Sequence, residues 1–207
     1  MLWVLDGEAR WARAEGARGR ACADCHGDAR ESMRGVAARY PSFDPVAGRV
    51  IDLEDRVNSC RARHQEAPPL AREGAPLLGL TTYLAHQSRG MALAPAIDGP
   101  ARETFELGRA LFQRRQGQFD FSCSQCHDQN WGKRLAGSTI PQAHPTGYPL
   151  YRLEWQGVGS LQRRLRACMV GMRAEPYAPG SEENVALALD LAWRARGMSV
   201  ETPAVRP

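Results

Sequence analysis

Two pentapeptides carry the most specific chemistry in this sequence: Cys22-Ala23-Asp24-Cys25-His26 and Cys123-Ser124-Gln125-Cys126-His127. Cys-x-x-Cys-His is the attachment signature of c-type haem. Its two thiols add across the haem vinyl groups, and the histidine that follows faces the iron as proximal ligand. A single copy can arise by chance; two copies with similar lead-ins form a strong signal. The pattern predicts two covalently bound haem c groups, one on Cys22 and Cys25 with His26 as axial ligand, the other on Cys123 and Cys126 with His127.

Each iron then needs a ligand on its other face. Met and His are the usual choices, and the sequence offers Met33, Met91, Met169, Met172, Met198, His64, His86 and His144. It also holds two cysteines outside the pentapeptides, Cys60 and Cys168, each downstream of one haem motif. A lone cysteine at the same place in each copy is what a repeated ligand requires, and a thiolate would lower the reduction potential relative to Met. Two alternatives stay open. Cys60 and Cys168 could form a disulfide in an oxidising compartment, or Met91 and Met198, each closing an Arg-Gly-Met triplet, could ligate instead. His64, His86 and His144 have no counterpart in the other copy and read as surface or propionate-side residues. Arg164 lies four residues before Cys168, on the same helical face. A guanidinium there favours the thiolate and can fork onto a small oxyanion. Arg163, Arg166 and Arg173 read as a solvated basic face. Arg56 stands at the same offset from Cys60, so part of the Arg-Cys pairing belongs to the fold.

The elements that must position these groups read as helices joined by Gly- and Pro-rich loops. Helices are expected over 1–21, 50–63, 77–87, 104–115, 153–169 and 185–195, with Ser181 and Asn184 as an imperfect capping box before the last. Residues 40–50 and 130–149 read as loops, 92–101 as a linker and 199–207 as a frayed tail. The halves repeat. Leu53-x-x-Arg56-x-x-x-Cys60 matches Leu161-x-x-Arg164-x-x-x-Cys168, and Arg89-Gly90-Met91 matches Arg196-Gly197-Met198. The expected fold is mainly α: two tandem cytochrome c-like haem domains related by internal duplication, residues 1–95 with the first haem and 96–207 with the second haem and the active site.

At 207 residues, with 43% hydrophobic and 24% charged residues, the chain has the composition of a globular protein. The formal net charge is +4, and haem propionates would bring it closer to neutral. The arginines are scattered, so no nucleic-acid footprint is read. No run reaches transmembrane length. Met1–Leu5 is too short for a signal-peptide core. Because this type of haem attachment is extracytoplasmic, the expected location is the periplasm, with a signal peptide absent from this sequence.

Cys123-Ser-Gln-Cys-His127, followed by Arg164-Leu-Arg-Ala-Cys168-Met-Val-Gly-Met-Arg173 in a chain with one lone cysteine per half, resembles the SoxA family. These are the dihaem subunits of the SoxAX cytochromes of bacterial thiosulfate oxidation, and the resemblance runs from about residue 1 to 200. It implies His/Cys ligation, with His26 and Cys60 on the first iron and His127 and Cys168 on the second. It further implies that Cys168 is the active-site cysteine, found in the family as a persulfide, and that Arg164 assists it. The implied activity is L-cysteine S-thiosulfotransferase: thiosulfate is oxidatively joined to a cysteine of the SoxYZ carrier protein, with a monohaem SoxX-type subunit as partner. Two other functions remain in view, a plain electron-transfer dihaem cytochrome and a thiosulfate dehydrogenase that forms tetrathionate.

Overall fold

The computed structural model describes residues 1–135 and 137–207. Helix α1 (Leu2–Trp11) is followed by the short haem-motif helix α2 (Cys22–His26) and by α3 (Ala29–Ser32). A β1–β2 hairpin (Ser42–Asp44, Arg49–Ile51) leads into α4 (Leu53–Cys60), and α5 (Ala75–His86) closes the first half. The second half repeats the order. It runs α6 (Arg102–Gln113), α7 (Cys123–His127), the two-residue strands β3 (Arg134–Leu135) and β4 (Ser138–Thr139), a β5–β6 hairpin (Leu150–Arg152, Gly157–Gly159), α8 (Leu161–Gly171) and α9 (Glu182–Arg194). Strand β7 (Val205–Arg206) then pairs in parallel with β5.

In both halves the first and last helices cross at a glycine. A Cβ on Gly7 would collide with the Gly79 carbonyl oxygen, and a Cβ on Gly108 with that of Ala186. The absence of a side chain lets α1 lie on α5 and α6 on α9 at backbone contact. Val4, Trp11, Leu77, Leu80, Tyr83 and Leu84 fill the first core; Leu111, Phe112, Leu187 and Leu191 fill the second. Side-chain caps start the cysteine-bearing helices. Asp52 accepts from the Asp55 amide at the head of α4, and Ser160 from the Arg163 amide at the head of α8.

Several boundaries differ from the sequence reading. The first helix ends at Trp11, because residues 15–20 fold into a tight turn with Gly16 and Gly19 at positive φ. The expected helix over 50–63 begins at Leu53, since Arg49–Ile51 is a strand, and passes into a π-helical turn over Arg61–Gln65. The expected helix over 153–169 begins only at Leu161. Residues 153–155 form a 3₁₀ turn, and Gln156, at φ 48°, turns the chain into β6. Within the loop expected over 130–149, β3 pairs with β4; Ala136, also in that loop, lies outside the described residues. Ser181 caps α9 through the Asn184 amide, but the Asn184 side chain donates to the Tyr177 and Ala178 carbonyls instead of closing the box.

The segments expected to be linker and tail bind each other. Gly90 and Leu93 donate to the carbonyls of Val200 and Met198, while Gly197 and Val200 donate to those of Leu93 and Met91. The two Arg-Gly-Met triplets thus lie antiparallel, and Ala38, Leu93, Ala195 and Val200 make a small core beneath them. Thr202 is fully buried, its hydroxyl donating to the Tyr148 carbonyl at 2.7 Å. The tail is held by buried contacts and a strand pairing rather than frayed. Among the described residues no helix is long and apolar enough to cross a membrane.

Candidate haem and substrate sites

Each haem-motif helix begins at its first cysteine and ends at its histidine, so both thiols and the imidazole come from one and a half turns of backbone. In the second copy Ser122 accepts from the Gln125 amide while the Gln125 side chain accepts from the Ser122 amide, a full capping box. In the first, Asp24 accepts from the Ala21 amide. No disulfide joins Cys60 and Cys168, the pairing considered from the sequence.

The first site is a cavity of about 200 Å³. Cys22, Cys25 and His26 line it from α2 and Cys60 from α4, while Trp11, Met33, Val57, Leu80 and Leu84 make apolar walls. Arg20, Arg61, His64 and Gln65 form a polar edge. This donor set fits a haem: two attachment thiols, an imidazole, a second sulfur on another helix, apolar walls for the macrocycle and cations for its propionates. Trp11 stacks obliquely on His26 with ring centroids 5.6 Å apart, and its indole N–H donates to the Gly27 carbonyl at 3.0 Å. That contact orients the exposed imidazole.

The second site is a larger cavity, lined by His127, Tyr148, Leu161, Arg164, Leu165 and Leu191, with Arg152 and His144 at its side. His127 Nδ1–H donates to the Pro141 carbonyl at 2.6 Å, which leaves Nε2 as the free lone pair. A backbone acceptor on one ring nitrogen is the usual way a metal-ligating histidine is aimed. Burial of Cys123 pushes its thiol up to about 11. The lone cysteines behave alike: Cys60 lies within electrostatic reach of Cys22 and Cys25, and Cys168 of Cys123 and Cys126. Burial raises both lone thiols, opposed by Arg56 at Cys60 and by Arg164 at Cys168. Met91 and Met198 line neither cavity. They lie in the central antiparallel pairing; Cys123, Cys126 and Cys168 are likewise outside the lining of the second cavity, which meets α8 through Leu161, Arg164 and Leu165. His64 and His144 each reach a cavity, His64 at its exposed edge, whereas His86 lines neither.

The sequence reading missed the residues around the arginines. Arg56 Nε donates to the Tyr40 hydroxyl at 3.0 Å, and its Nη2 lies 3.3 Å from buried Asp44. Arg164 Nη1 lies 3.7 Å from Glu154, which also sits 3.0 Å from Arg152 Nε. The signal that could have found them is the spacing itself. Tyr40-Pro41, Asp44, Arg56 and Cys60 recur at identical intervals as Tyr148-Pro149, Arg152, Arg164 and Cys168.

A duplicated helical unit, each copy carrying Cys-x-x-Cys-His on a short helix beside a cavity and a lone cysteine on the helix that follows the hairpin, defines a c-type cytochrome that holds covalently bound haem c. The SoxA/TsdA cytochrome c domain matches residues 6–93 and again 107–200. The L-cysteine S-thiosulfotransferase subunit SoxA of Rhodovulum sulfidophilum is 40% identical over 206 residues, covering 100% of this chain and 72% of the relative. The subunit of the same name from Paracoccus pantotrophus is 35% identical, covering 100% and 71%. The crystal structure of SoxXA from P. pantotrophus superimposes with a TM-score of 0.96 at 34% identity, covering 100% of this chain and 78% of that one. The chain belongs to the SoxA family.

Proposed function

We propose that this protein is the SoxA-type subunit of an L-cysteine S-thiosulfotransferase that works in the periplasm. Its partner is a monohaem SoxX-type subunit and its protein substrate a SoxYZ-type carrier. It carries two haem units, residues 1–95 with His26 and Cys60 as iron ligands and residues 96–207 with His127 and Cys168. The relatives' shared name and the crystallised SoxXA assembly support this reading. The observation that carries it on this chain is the second cavity, lined by an oriented imidazole and by α8, whose Arg164 stands one turn before Cys168.

The overall reaction removes one proton and two electrons. A carrier thiol loses its S–H bond, and an S–S bond forms to the outer sulfur of thiosulfate. Haem c, when bound, supplies the electron-accepting iron. Cys168 divides the work in two. Its sulfur first bonds to the outer sulfur of thiosulfate, with loss of two electrons, giving a cysteine S-thiosulfonate. The carrier thiolate then attacks that outer sulfur and displaces Cys168, an exchange without further oxidation. Arg164 holds the sulfonate oxygens through forked hydrogen bonds while the outer sulfur reacts. Nδ1–H of His127, tied to Pro141, keeps the imidazole aimed.

Turnover of the haem-loaded complex with thiosulfate and carrier, measured as mass gain on the carrier cysteine, tests this. Cys168→Ala is expected to abolish transfer, and Arg164→Ala to raise the KM for thiosulfate more than it lowers kcat. Normal turnover by Cys168→Ala would overturn the covalent scheme. Tetrathionate formed without carrier modification would move the protein to thiosulfate dehydrogenation.

A further inference from the structure

The two copies of the haem unit differ at one position in a way that separates their chemistry. Asp44 ends β1 and Arg152 ends β5; each of these strands pairs antiparallel with the next, which leads directly to the N-cap of the cysteine-bearing helix. The intervals from Tyr-Pro through this position to the arginine and the cysteine are identical in the two copies. The duplicated framework therefore places an aspartate and an arginine at the same point relative to Arg56 and Arg164.

The consequence is a reversal of charge beside the cysteine. In the first copy Asp44, only 1% exposed, lies against Arg56, and Tyr40 occupies the Nε–H of that guanidinium. The ion pair is close to neutral and the Nε–H of Arg56 is committed to Tyr40. In the second copy Arg152 and Arg164 line one cavity together with His127. Among the described residues lining that cavity there is no Asp or Glu side chain. The acid nearest both arginines is Glu154, a half-exposed group shared between the two. The Arg152 side chain is 12% exposed, its guanidinium lies 5.3 Å from the Trp155 ring centroid, and its buried Nε–H is out of line for a hydrogen bond to Glu154. Arg206, the other cation of the cavity, is paired with Glu201. Two guanidiniums that share one exposed carboxylate leave a net positive site with an unused buried donor. Such a site accepts a small divalent oxyanion.

We propose that Arg152 is a second substrate-binding residue, which with Arg164 holds the sulfonate group of thiosulfate, and that the exchange of Asp44 for Arg152 confines the anion to the second copy. This rests on the thiosulfotransferase reading. The first cavity has an arginine at the same place but returns a negative charge beside it, so a dianion meets a near-neutral ion pair there.

The test uses the haem-loaded complex with its partner subunit, in wild-type form and as Arg152→Gln, Arg152→Lys and Arg152→Asp. Two quantities are read: steady-state kinetics of carrier modification, and retention of radiolabelled thiosulfate in equilibrium dialysis without carrier. Arg152→Gln is expected to raise the thiosulfate KM on the order of tenfold to a hundredfold, with kcat nearly unchanged, and to weaken retention in parallel. Arg152→Lys, which keeps the charge but loses the fork, is expected to recover part of the loss. Arg152→Asp, which copies the first site, should be the weakest binder. The Lys variant also guards against a folding defect, since a merely structural role would not follow charge. Wild-type KM and wild-type retention in Arg152→Gln would overturn the assignment, as would a fall in kcat alone. If the wild-type complex modifies no carrier, the thiosulfotransferase reading falls, and dialysis still decides whether Arg152 binds the anion.

Discussion

His127 and the Pro141 carbonyl are joined by a 2.6 Å hydrogen bond from Nδ1–H, and His26 has no such bond but lies against the Trp11 ring. The same Cys-x-x-Cys-His motif is thus held in two ways. In the second copy the acceptor comes from a loop that also lines the second cavity, so imidazole orientation and cavity shape depend on one segment. In the first the orienting group is a core side chain, consistent with a site that needs only to stay rigid.

Cys60 and Cys168 are expected to be the distal ligands, and low-temperature electron paramagnetic resonance of the oxidised, haem-loaded protein checks this. Narrow low-spin signals of the thiolate-ligated type should be present, one lost in Cys60→Ala and the other in Cys168→Ala. Met91→Ala and Met198→Ala should leave both signals in place, because their segments are paired with each other. Signals indifferent to both cysteine substitutions would remove Cys168 from the iron.

Gly108 should tolerate no side chain. A methyl there meets the Ala186 carbonyl and the Asp190 side chain, and backbone cannot step aside as a flexible group can. Gly108→Ala is expected to lower stability by about 1–3 kcal/mol. Gly7→Ala, at the matching crossing in the first half, should cost a similar amount. Denaturant unfolding of the haem-loaded protein measures both. A loss below about 0.5 kcal/mol in either, the range of ordinary surface substitutions, would show that the helices can separate freely.

The seam between the halves should make stability depend on pH. Arg72 bonds to Asp52 at 2.8 Å, Glu54 at 2.7 Å and Asp55 at 2.5 Å, and Gln162 of the second half donates to Asp52. Arg49 also pairs with Asp55 at 3.0 Å, but two cations do not balance three clustered carboxylates, and Glu54, the most buried of the three, is the one driven toward its protonated form. Burial first, and then the neighbouring Asp52 charge, push its pKa up to about 8 from 4.5. The folded state then binds the proton more tightly than the unfolded state. This stabilisation is fully present below pH 4.5 and is lost as pH rises through about 8. Glu54→Gln should flatten the decline, by on the order of a few kcal/mol at pH 9. Thermal unfolding of both forms between pH 5 and 9 reads it out; parallel curves would place the proton elsewhere.

The sequence by itself determined the haem chemistry and the duplication. Cys-x-x-Cys-His is local: its five residues carry thiols and imidazole on one short helix whatever surrounds them. The repeat of Leu53, Arg56 and Cys60 as Leu161, Arg164 and Cys168 is likewise readable by spacing, because helical periodicity places i and i+4 on one face. Helix ends were less legible where β-hairpins and π or 3₁₀ turns, which depend on strand pairing across the chain, took residues from the expected helices. What only the tertiary structure decided came from contacts between distant segments. It placed Met91 and Met198 in a central pairing away from both cavities. It tied residues 199–207 into the seam and onto β5. It also set Asp44 against Arg56 and Arg152 beside Arg164. Single charged residues in hairpins carry no periodic signature, and whether such a charge is neutralised by a partner or left to meet a ligand depends on which side chains the fold brings alongside it.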